Sequence, residues 1–279
     1  MCLIQNKIKV CCEIMFEITE KEATGEVAEI YQDIRETMNM PFPQTIWRNL
    51  ATKKGALQWV WYSLKPIYQS GAVAHYASEL RSPLDVPSVS TVPDSAFNIL
   101  GISDQDRKHI SEFLDSLNFG NSQNIIGLSA LYTDPSDEVT SRTFKKPKKR
   151  KYSDLPSLMD LDIIGKDEKE LFNIINHIGQ EVPVGFPPAW SRGFARWPKL
   201  LAIIWNTLSM IDADGKLEQL KKKTKDQAFK NSSILASHIN RTALPESADQ
   251  ILEQLKNLTQ GGIPRALPVG LLLHKMLSR

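Results

Sequence analysis

The stretch GEVAEIYQDIRETMNMPFPQTIWRNLATKKGALQWVWYSL at residues 25–64 decides the fold, because a second version of it occurs 144 positions later, at residues 169–208. The gapless register aligns Phe42 with Phe186 and Arg48 with Arg192. It also aligns Pro43 with Pro187, Ala51 with Ala195, Leu57 with Leu201, Trp61 with Trp205 and Leu64 with Leu208. Solenoid repeats are much shorter, roughly 20–50 residues. The sequence therefore predicts a duplicated domain folded as two similar halves, with a pocket possible where they meet.

Apolar residues at helical spacing predict that both halves consist of α-helices. The two matching stripes are Val27, Ile30, Tyr31 and Ile34 in the first half, and Leu171, Ile174, Ile175 and Ile178 in the second. Each of these helices is followed by a proline-rich segment, at residues 40–43 and 182–188. Because proline blocks helix propagation, we expect a hinge at each segment. A second helix is expected from Trp47 through Leu64, matched by Phe194 through Leu208. The predicted fold class is all-α, with two helical repeats forming a pseudodimer.

The order of elements divides the chain into four parts. We expect an N-terminal extension at 1–15, a first helical repeat at 16–132, a basic linker at 133–162 and a second helical repeat at 163–279. Each repeat is expected to close with a pair of helices joined by a turn. Ser103 is the predicted cap of the first such pair. The turns are expected at the polar cluster 118–124 and near residues 260–265.

The composition excludes several classes of function. The 34 basic and 32 acidic residues nearly balance, so the chain as a whole is not built to coat nucleic acid or an anionic membrane. All three cysteines, Cys2, Cys11 and Cys12, lie at the N-terminus, which excludes disulfides, cysteine metal sites and a cysteine nucleophile from the rest of the chain. We expect no signal peptide, and the sequence contains no apolar run as long as a membrane span. We therefore expect a cytoplasmic protein.

One local excess of positive charge allows two interpretations. The run from Lys145 to Lys151, KKPKKRK, is typical of a localisation signal or a nucleic-acid-binding arm. It is equally typical of an exposed, mobile linker kept extended by its like charges. We favour the linker because the flanking sequence is loop-like and the remaining charge is balanced, and we do not expect nucleic acid as a partner.

The usual signatures of metal, nucleotide and acyl-enzyme chemistry do not occur in the sequence. The five histidines show no spacing that binds a metal, so we expect them to be structural. The sequence from Asp212 to Gly215 resembles the start of a calcium loop but does not continue as one, which favours a turn. There is also no phosphate-binding glycine-rich loop and no GxSxG motif.

The hinge regions are better candidates for a site. Arg48 and Arg192, each in the turn after a hinge, could help to bind a small anion, or they could be salt-bridged surface residues, and the sequence leaves both interpretations open. The amides of the polar cluster could donate hydrogen bonds to a halide, a carboxylate or a water. Asn and Gly are also typical of any helix-ending turn.

The sequence resembles the group I α-haloacid dehalogenases, also called the halocarboxylic acid dehydrogenase family, from about Phe16 onward. The resemblance is carried by residues 22–27 and 31–35, the first hinge, Leu50-Ala51-Thr52, Asn118-Phe119-Gly120-Asn121 and Trp197-Pro198-Lys199-Leu200-Leu201. It implies an all-α pseudodimer that hydrolyses 2-haloalkanoic acids with inversion, without a covalent intermediate or a cofactor. It also implies a homodimer and an active site between the repeats, where a carboxylate activates water.

The resemblance implies a pocket whose residues match only in part. The pocket Asn is present as Asn121, whereas a pocket Tyr is replaced by Asn124. The aromatic positions after the first hinge fall on Phe42 and Thr45. The family's Ser-Asp pair falls on Ala189 and Trp190. The water-activating Asp is therefore replaced by an indole, which has an N–H donor and no basic lone pair.

This replacement leaves three hypotheses. The chain is a haloacid dehalogenase relative with altered or lost activity, because residues 182–199 contain no acidic residue. Alternatively, it is an active dehalogenase that uses another base, either Glu181 or an acid from the other half. The third hypothesis is a non-catalytic small-acid-binding or interaction protein that uses the run from Lys145 to Lys151.

Overall fold

The computed structural model describes residues 16–82, 84, 86–137, 143–145, 148–152, 155, 165–178 and 189–278, with the backbone alone at 189–191. All regular structure in these residues is helical, which confirms the all-α prediction. The helices are α1 (Gly25–Met38), α2 (Thr45–Leu50), α3 (Ala56–Gln69), α4 (Ala72–Arg81), α5 (Asp94–Leu100), α6 (Asp104–Ser129), α7 (Lys166–His177), α8 (Ala189–Phe194), α9 (Pro198–Ala213), α10 (Lys216–Leu235), α11 (Ala248–Asn257) and α12 (Ile263–Leu277). No helix among them is long and apolar enough to cross a membrane.

The helix predicted from Trp47 to Leu64 is in fact two helices, α2 and α3, separated by residues 51–55. Gly55 precedes α3 with a φ of 73°, a left-handed conformation that glycine adopts without steric cost. The second half is divided in the same way, since α8 and α9 are separated by residues 195–197 and Pro198 begins α9. The first hinge is non-helical as predicted, whereas the second hinge lies outside the described residues.

The turn predicted at residues 118–124 does not exist, because α6 runs unbroken for 26 residues. Ser103 caps this helix as predicted, accepting a hydrogen bond from the Asp106 backbone N–H. Tertiary packing overrides the local preference of Asn and Gly for turns. An added Cβ at Gly120 would stand 2.5 Å from the Gln44 side chain, so the glycine permits a close contact. In the second half, a π-helical turn (Leu258–Gly262) joins α11 to α12 at the other predicted turn.

Two hydrophobic cores lie inside the molecule, and both halves of the chain contribute to each. The first core combines residues 30–84 and 119–130 with residues 228–267. The second combines residues 92–117 with residues 172–217 and 266–277. The N-terminal and C-terminal parts of α6 therefore lie in different cores, and so do the two ends of α12. Because neither core belongs to one half alone, we expect the two halves to unfold together.

Residues at matched positions in the two halves differ in how deeply they are buried. Leu57 and Leu201 are fully buried, and so are Leu64 and Leu208. Trp61 is also buried and donates a 2.7 Å hydrogen bond from Nε1 to Asp33. Its counterpart Trp205 is 40% exposed. The repeated leucines therefore preserve the scaffold, whereas the repeated tryptophans have diverged in environment.

Part of the basic segment is packed against the body of the protein. Arg150 forms a bidentate ion pair with Asp115 and lies 4.4 Å from the centre of the Phe119 ring. The Asn39 side chain donates to the Lys148 carbonyl at 2.8 Å and accepts from the Arg150 backbone N–H at 2.9 Å. The described lysines of the run, Lys145, Lys148, Lys149 and Lys151, are exposed.

Candidate functional site

The two matched arginines meet at one carboxylate. Arg48 Nη2 lies 3.2 Å from Glu17 Oε2, and Arg192 Nη1 lies 3.5 Å from Glu17 Oε1. The three side chains are only 14%, 18% and 14% exposed for Arg48, Arg192 and Glu17. We call this group the Glu17 cluster. It joins equivalent positions of α2 and α8, the short helices that follow the two hinges.

Hydrogen bonds on both sides of Glu17 fix its position on α2. The Ile18 backbone N–H donates to the Arg48 carbonyl at 3.1 Å, and Asn49 Nδ2 donates to the Phe16 carbonyl at 2.8 Å. The Tyr31 hydroxyl donates to the Ile18 carbonyl at 2.8 Å. Burial raises the pKa of Tyr31 well above its ordinary value, so this donor keeps its proton. Glu17 is therefore held by the fold and does not depend on the arginines alone.

The Glu17 cluster contains two guanidinium groups and one carboxylate, so it has one net positive charge. Arg48 Nε, Arg192 Nε and Glu17 Oε2 are buried and form no hydrogen bond within the described part of the chain. Arg48 Nη2 also donates to Thr45 Oγ1 at 3.4 Å. Guanidinium groups bind carboxylates strongly through paired N–H donors. The cluster has both the unused donors and the net charge to bind a small monoanion.

The amides of α6 form a buried structural network. Trp47 Nε1 donates to Asn124 Oδ1 at 3.1 Å, and Asn124 Nδ2 donates to Gln44 Oε1. Asn124 and Gln44 are both buried, with 1% and 6% exposure. Asn124, which the sequence analysis expected in the pocket, therefore has both ends of its amide bound inside the protein. Asn121, one turn earlier on the same helix, is partly exposed.

In each half, a side chain from a later helix donates hydrogen bonds to the backbone carbonyls at the point where the hinge begins. Gln123 Nε2 on α6 donates to the Met38 carbonyl at the end of α1 at 3.1 Å. Arg265 on α12 donates to the carbonyls of Ile175, at 2.7 Å, and Ile178 at the end of α7. Burial lowers the pKa of Arg265 to about 10. Neither role could be predicted from the sequence, because a side chain that caps a distant helix end has no local sequence signal.

Two known proteins similar to this chain have the same description. Over 115 residues, the chain is 25% identical to a configuration-inverting 2-haloacid dehalogenase from Pseudomonas sp. (strain 113), covering 41% of this chain and 38% of that relative's length. Over 218 residues it is 22% identical to a configuration-inverting 2-haloacid dehalogenase from Alcaligenes xylosoxydans xylosoxydans, covering 75% of this chain and 73% of that relative. No family model matches the sequence.

Solved structures share the fold over nearly the whole chain. A D-2-haloacid dehalogenase mutant superposes with a TM-score of 0.73 at 18% identity, covering 95% of this chain and 97% of that one. A mutant in complex with D-2-CPA gives a TM-score of 0.71 at 19% identity, with 96% and 95% coverage. The chain is a distant relative of the group I haloacid dehalogenases.

The remaining residues expected in the pocket of this dehalogenase relative lie around the two hinges. Phe42 is partly buried and packs on the second core, and Thr45 begins α2. Ala189 and Trp190 form the first turn of α8, three and two residues before Arg192, respectively. Their side chains lie outside the described residues, as does Glu181.

Two further expectations concern ions. The described residues contain no group of three or more His, Cys, Asp or Glu side chains that could bind a metal ion. The hinge regions were expected to bind a small anion, and the helices that follow them, α2 and α8, are only six residues long, too short for a strong helix dipole. The positive charge near the hinges is therefore supplied by Arg48 and Arg192.

Proposed function

We propose that this dehalogenase relative binds a small organic acid of the 2-haloalkanoate type at the Glu17 cluster. The observation that carries the proposal is the excess of one positive charge at the junction of α2 and α8, together with two buried, unused Nε donors. One monoanionic carboxylate would neutralise this charge and accept hydrogen bonds from both arginines. The family relationship supports a 2-substituted acid as the ligand.

We also propose that hydrolysis of the carbon–halogen bond is altered or lost. The resemblance places Trp190 where the family has its water-activating Asp, and an indole cannot accept a proton from water. The sequence from 182 to 199 offers no acid as a replacement within that loop. Loss of a general base alone lowers a rate by roughly 10²–10⁴-fold.

Calorimetric titration and a halide-release assay test the two parts separately. We expect saturable binding of both enantiomers of 2-chloropropionate and no binding of 2-chloropropionamide, which has the same shape without the charge. We expect halide release to be slow compared with that of the relative from Alcaligenes xylosoxydans xylosoxydans. Equal binding of the acid and the amide would refute the carboxylate site, and halide release at the rate of the relative would refute the impairment.

A further inference from the structure

The Glu17 carboxylate lies against the same helix that carries the family's acid position. Its Oε1 is 3.5 Å from Nη1 of Arg192, and Arg192 is two residues after Trp190 in α8. We propose that Glu17 activates water in this chain, in place of the acid that the resemblance assigns to the position of Trp190. The inference rests on the proposed function, since it requires a 2-substituted acid bound at the Glu17 cluster.

Glu17 differs from the neighbouring acids Glu20 and Glu22 in having a buried oxygen that accepts no hydrogen bond within the described residues. Glu17 Oε2 is buried and accepts no hydrogen bond within the described residues, although Arg48 Nη2 lies 3.2 Å away. Glu20 instead pairs with Arg35 near the surface, and Glu22 accepts hydrogen bonds from Thr19. A carboxylate oxygen that is sheltered but not hydrogen-bonded can accept a hydrogen bond from a water molecule.

The position of Glu17 is also well defined, which a general base requires. The residues on either side are bound to α2 and to Tyr31 through the Phe16 carbonyl and both backbone groups of Ile18. A base fixed in this way loses little conformational freedom when the reactants assemble. Because Glu17 lies far from Trp190 in the sequence, the spacing of motifs could not reveal this role.

Charge balance explains how one cluster can both bind the acid and activate water. Without a ligand, the two guanidinium groups and the Glu17 carboxylate together have a net charge of one positive unit. A bound substrate carboxylate on the Arg48 and Arg192 Nε donors brings the charges of the site to balance. The Oε2 atom of Glu17 is then available to a water molecule.

The reaction step conserves atoms and electrons. Glu17 accepts a proton from water as the water oxygen forms a bond to C2 of the 2-haloalkanoate. The carbon–halogen bond breaks, and the halide leaves with the electron pair of that bond. The product is the 2-hydroxy acid with inverted configuration, and the protonated Glu17 later releases its proton to solvent.

Replacement of Glu17 by Gln tests the proposal, with Glu20→Gln as the matched control. Because Gln retains the shape and lacks the basicity, E17Q should lower kcat for halide release by about 10²–10⁴-fold. Its calorimetric affinity for 2-chloropropionate should not fall, because the substitution removes a negative charge from the cluster and leaves both arginines in place. E20Q should change neither quantity. Where E17Q fails to fold, E17D retains the carboxylate on a shorter side chain and should lower kcat without raising KM.

Two outcomes overturn the role of Glu17 and leave the proposed function intact. One is wild-type protein that binds 2-chloropropionate without any halide release on prolonged incubation, and the other is E17Q with unchanged kcat. Absence of binding by the wild type would instead refute the proposed function. A single turnover in H₂¹⁸O distinguishes a base from a nucleophile. ¹⁸O in the first product supports the base, whereas ¹⁶O would show covalent attack by a protein carboxylate.

Discussion

Arg48 and Arg192, 144 positions apart in the sequence, contact the two oxygens of one carboxylate, that of Glu17. The match between these two positions thus has a direct structural consequence, because each of them contributes one cation to a shared cluster. Of the two interpretations that the sequence left open for these arginines, the structure shows an ion pair. It also shows that the pairing is incomplete, since one carboxylate cannot neutralise two guanidinium groups. The anion-binding interpretation rests on this excess charge.

Removal of either arginine should weaken acid binding. We expect R48M and R192M each to lower the affinity for 2-chloropropionate by about 10–100-fold, because a hydrogen bond to a charged group contributes about 1.5–3 kcal/mol. R35M is the control, since Arg35 pairs with Glu20 at a more exposed position. The affinities are measured by calorimetry at constant ionic strength. If R192M binds the acid as well as R35M does, the acid does not bind at the cluster.

Restoring an acid at the family position should raise activity. We expect W190D to increase the rate of halide release by up to about 10²–10⁴-fold, because it reintroduces a general base at the start of α8. W190N is the matched control, as it has nearly the same shape as W190D without the basicity. Both variants are compared in the halide-release assay. An equal gain in W190D and W190N would show that removing the indole matters more than adding the carboxylate.

The helical class and the matched arginines could be predicted because both depend on local periodicity and on an internal repeat. The unbroken α6 could not, because Asn118 and Asn124 favour a turn locally, whereas Asn124 is hydrogen-bonded to Trp47 and Gln44, which lie far away in sequence. Glu17 was missed for a similar reason. Only the folded chain brings an N-terminal acid to α8, and no motif spacing encodes that contact.

The buried amide network should be important for stability. We expect N124A to lower the free energy of unfolding by about 2–4 kcal/mol, because Trp47 Nε1 and the Gln44 side chain lose their partner at buried positions. N121A, one turn away and partly exposed, should change it by less than about 0.5 kcal/mol. Urea unfolding followed by circular dichroism measures both. Equal effects of the two substitutions would show that the network contributes little.

The packed basic segment should become accessible when its anchor is removed. Arg150 pairs with Asp115 and lies over Phe119, so we expect R150M to cost about 1 kcal/mol, with the ion pair discounted for solvent screening. R150M should also increase the rate of trypsin cleavage after Lys148 and Lys149. K151M is the control, because Lys151 is exposed. Cleavage of R150M at the rate of K151M would show that Arg150 does not hold the segment.

His274 on α12 should make the fold sensitive to mild acid. Burial lowers the pKa of His274 below its ordinary value of 6.5, so the unfolded chain binds a proton there more readily than the folded chain. The stability that the neutral imidazole provides is present above about pH 6.5 and is lost as the pH falls through the lower folded-state pKa.

Unfolding free energies measured between about pH 7.5 and about pH 5 should therefore decrease in wild type. The decrease should be smaller in H274Q, whose side chain does not titrate. An identical pH dependence in the two proteins would mean that other groups control acid stability, and H238Q serves as the exposed-histidine control.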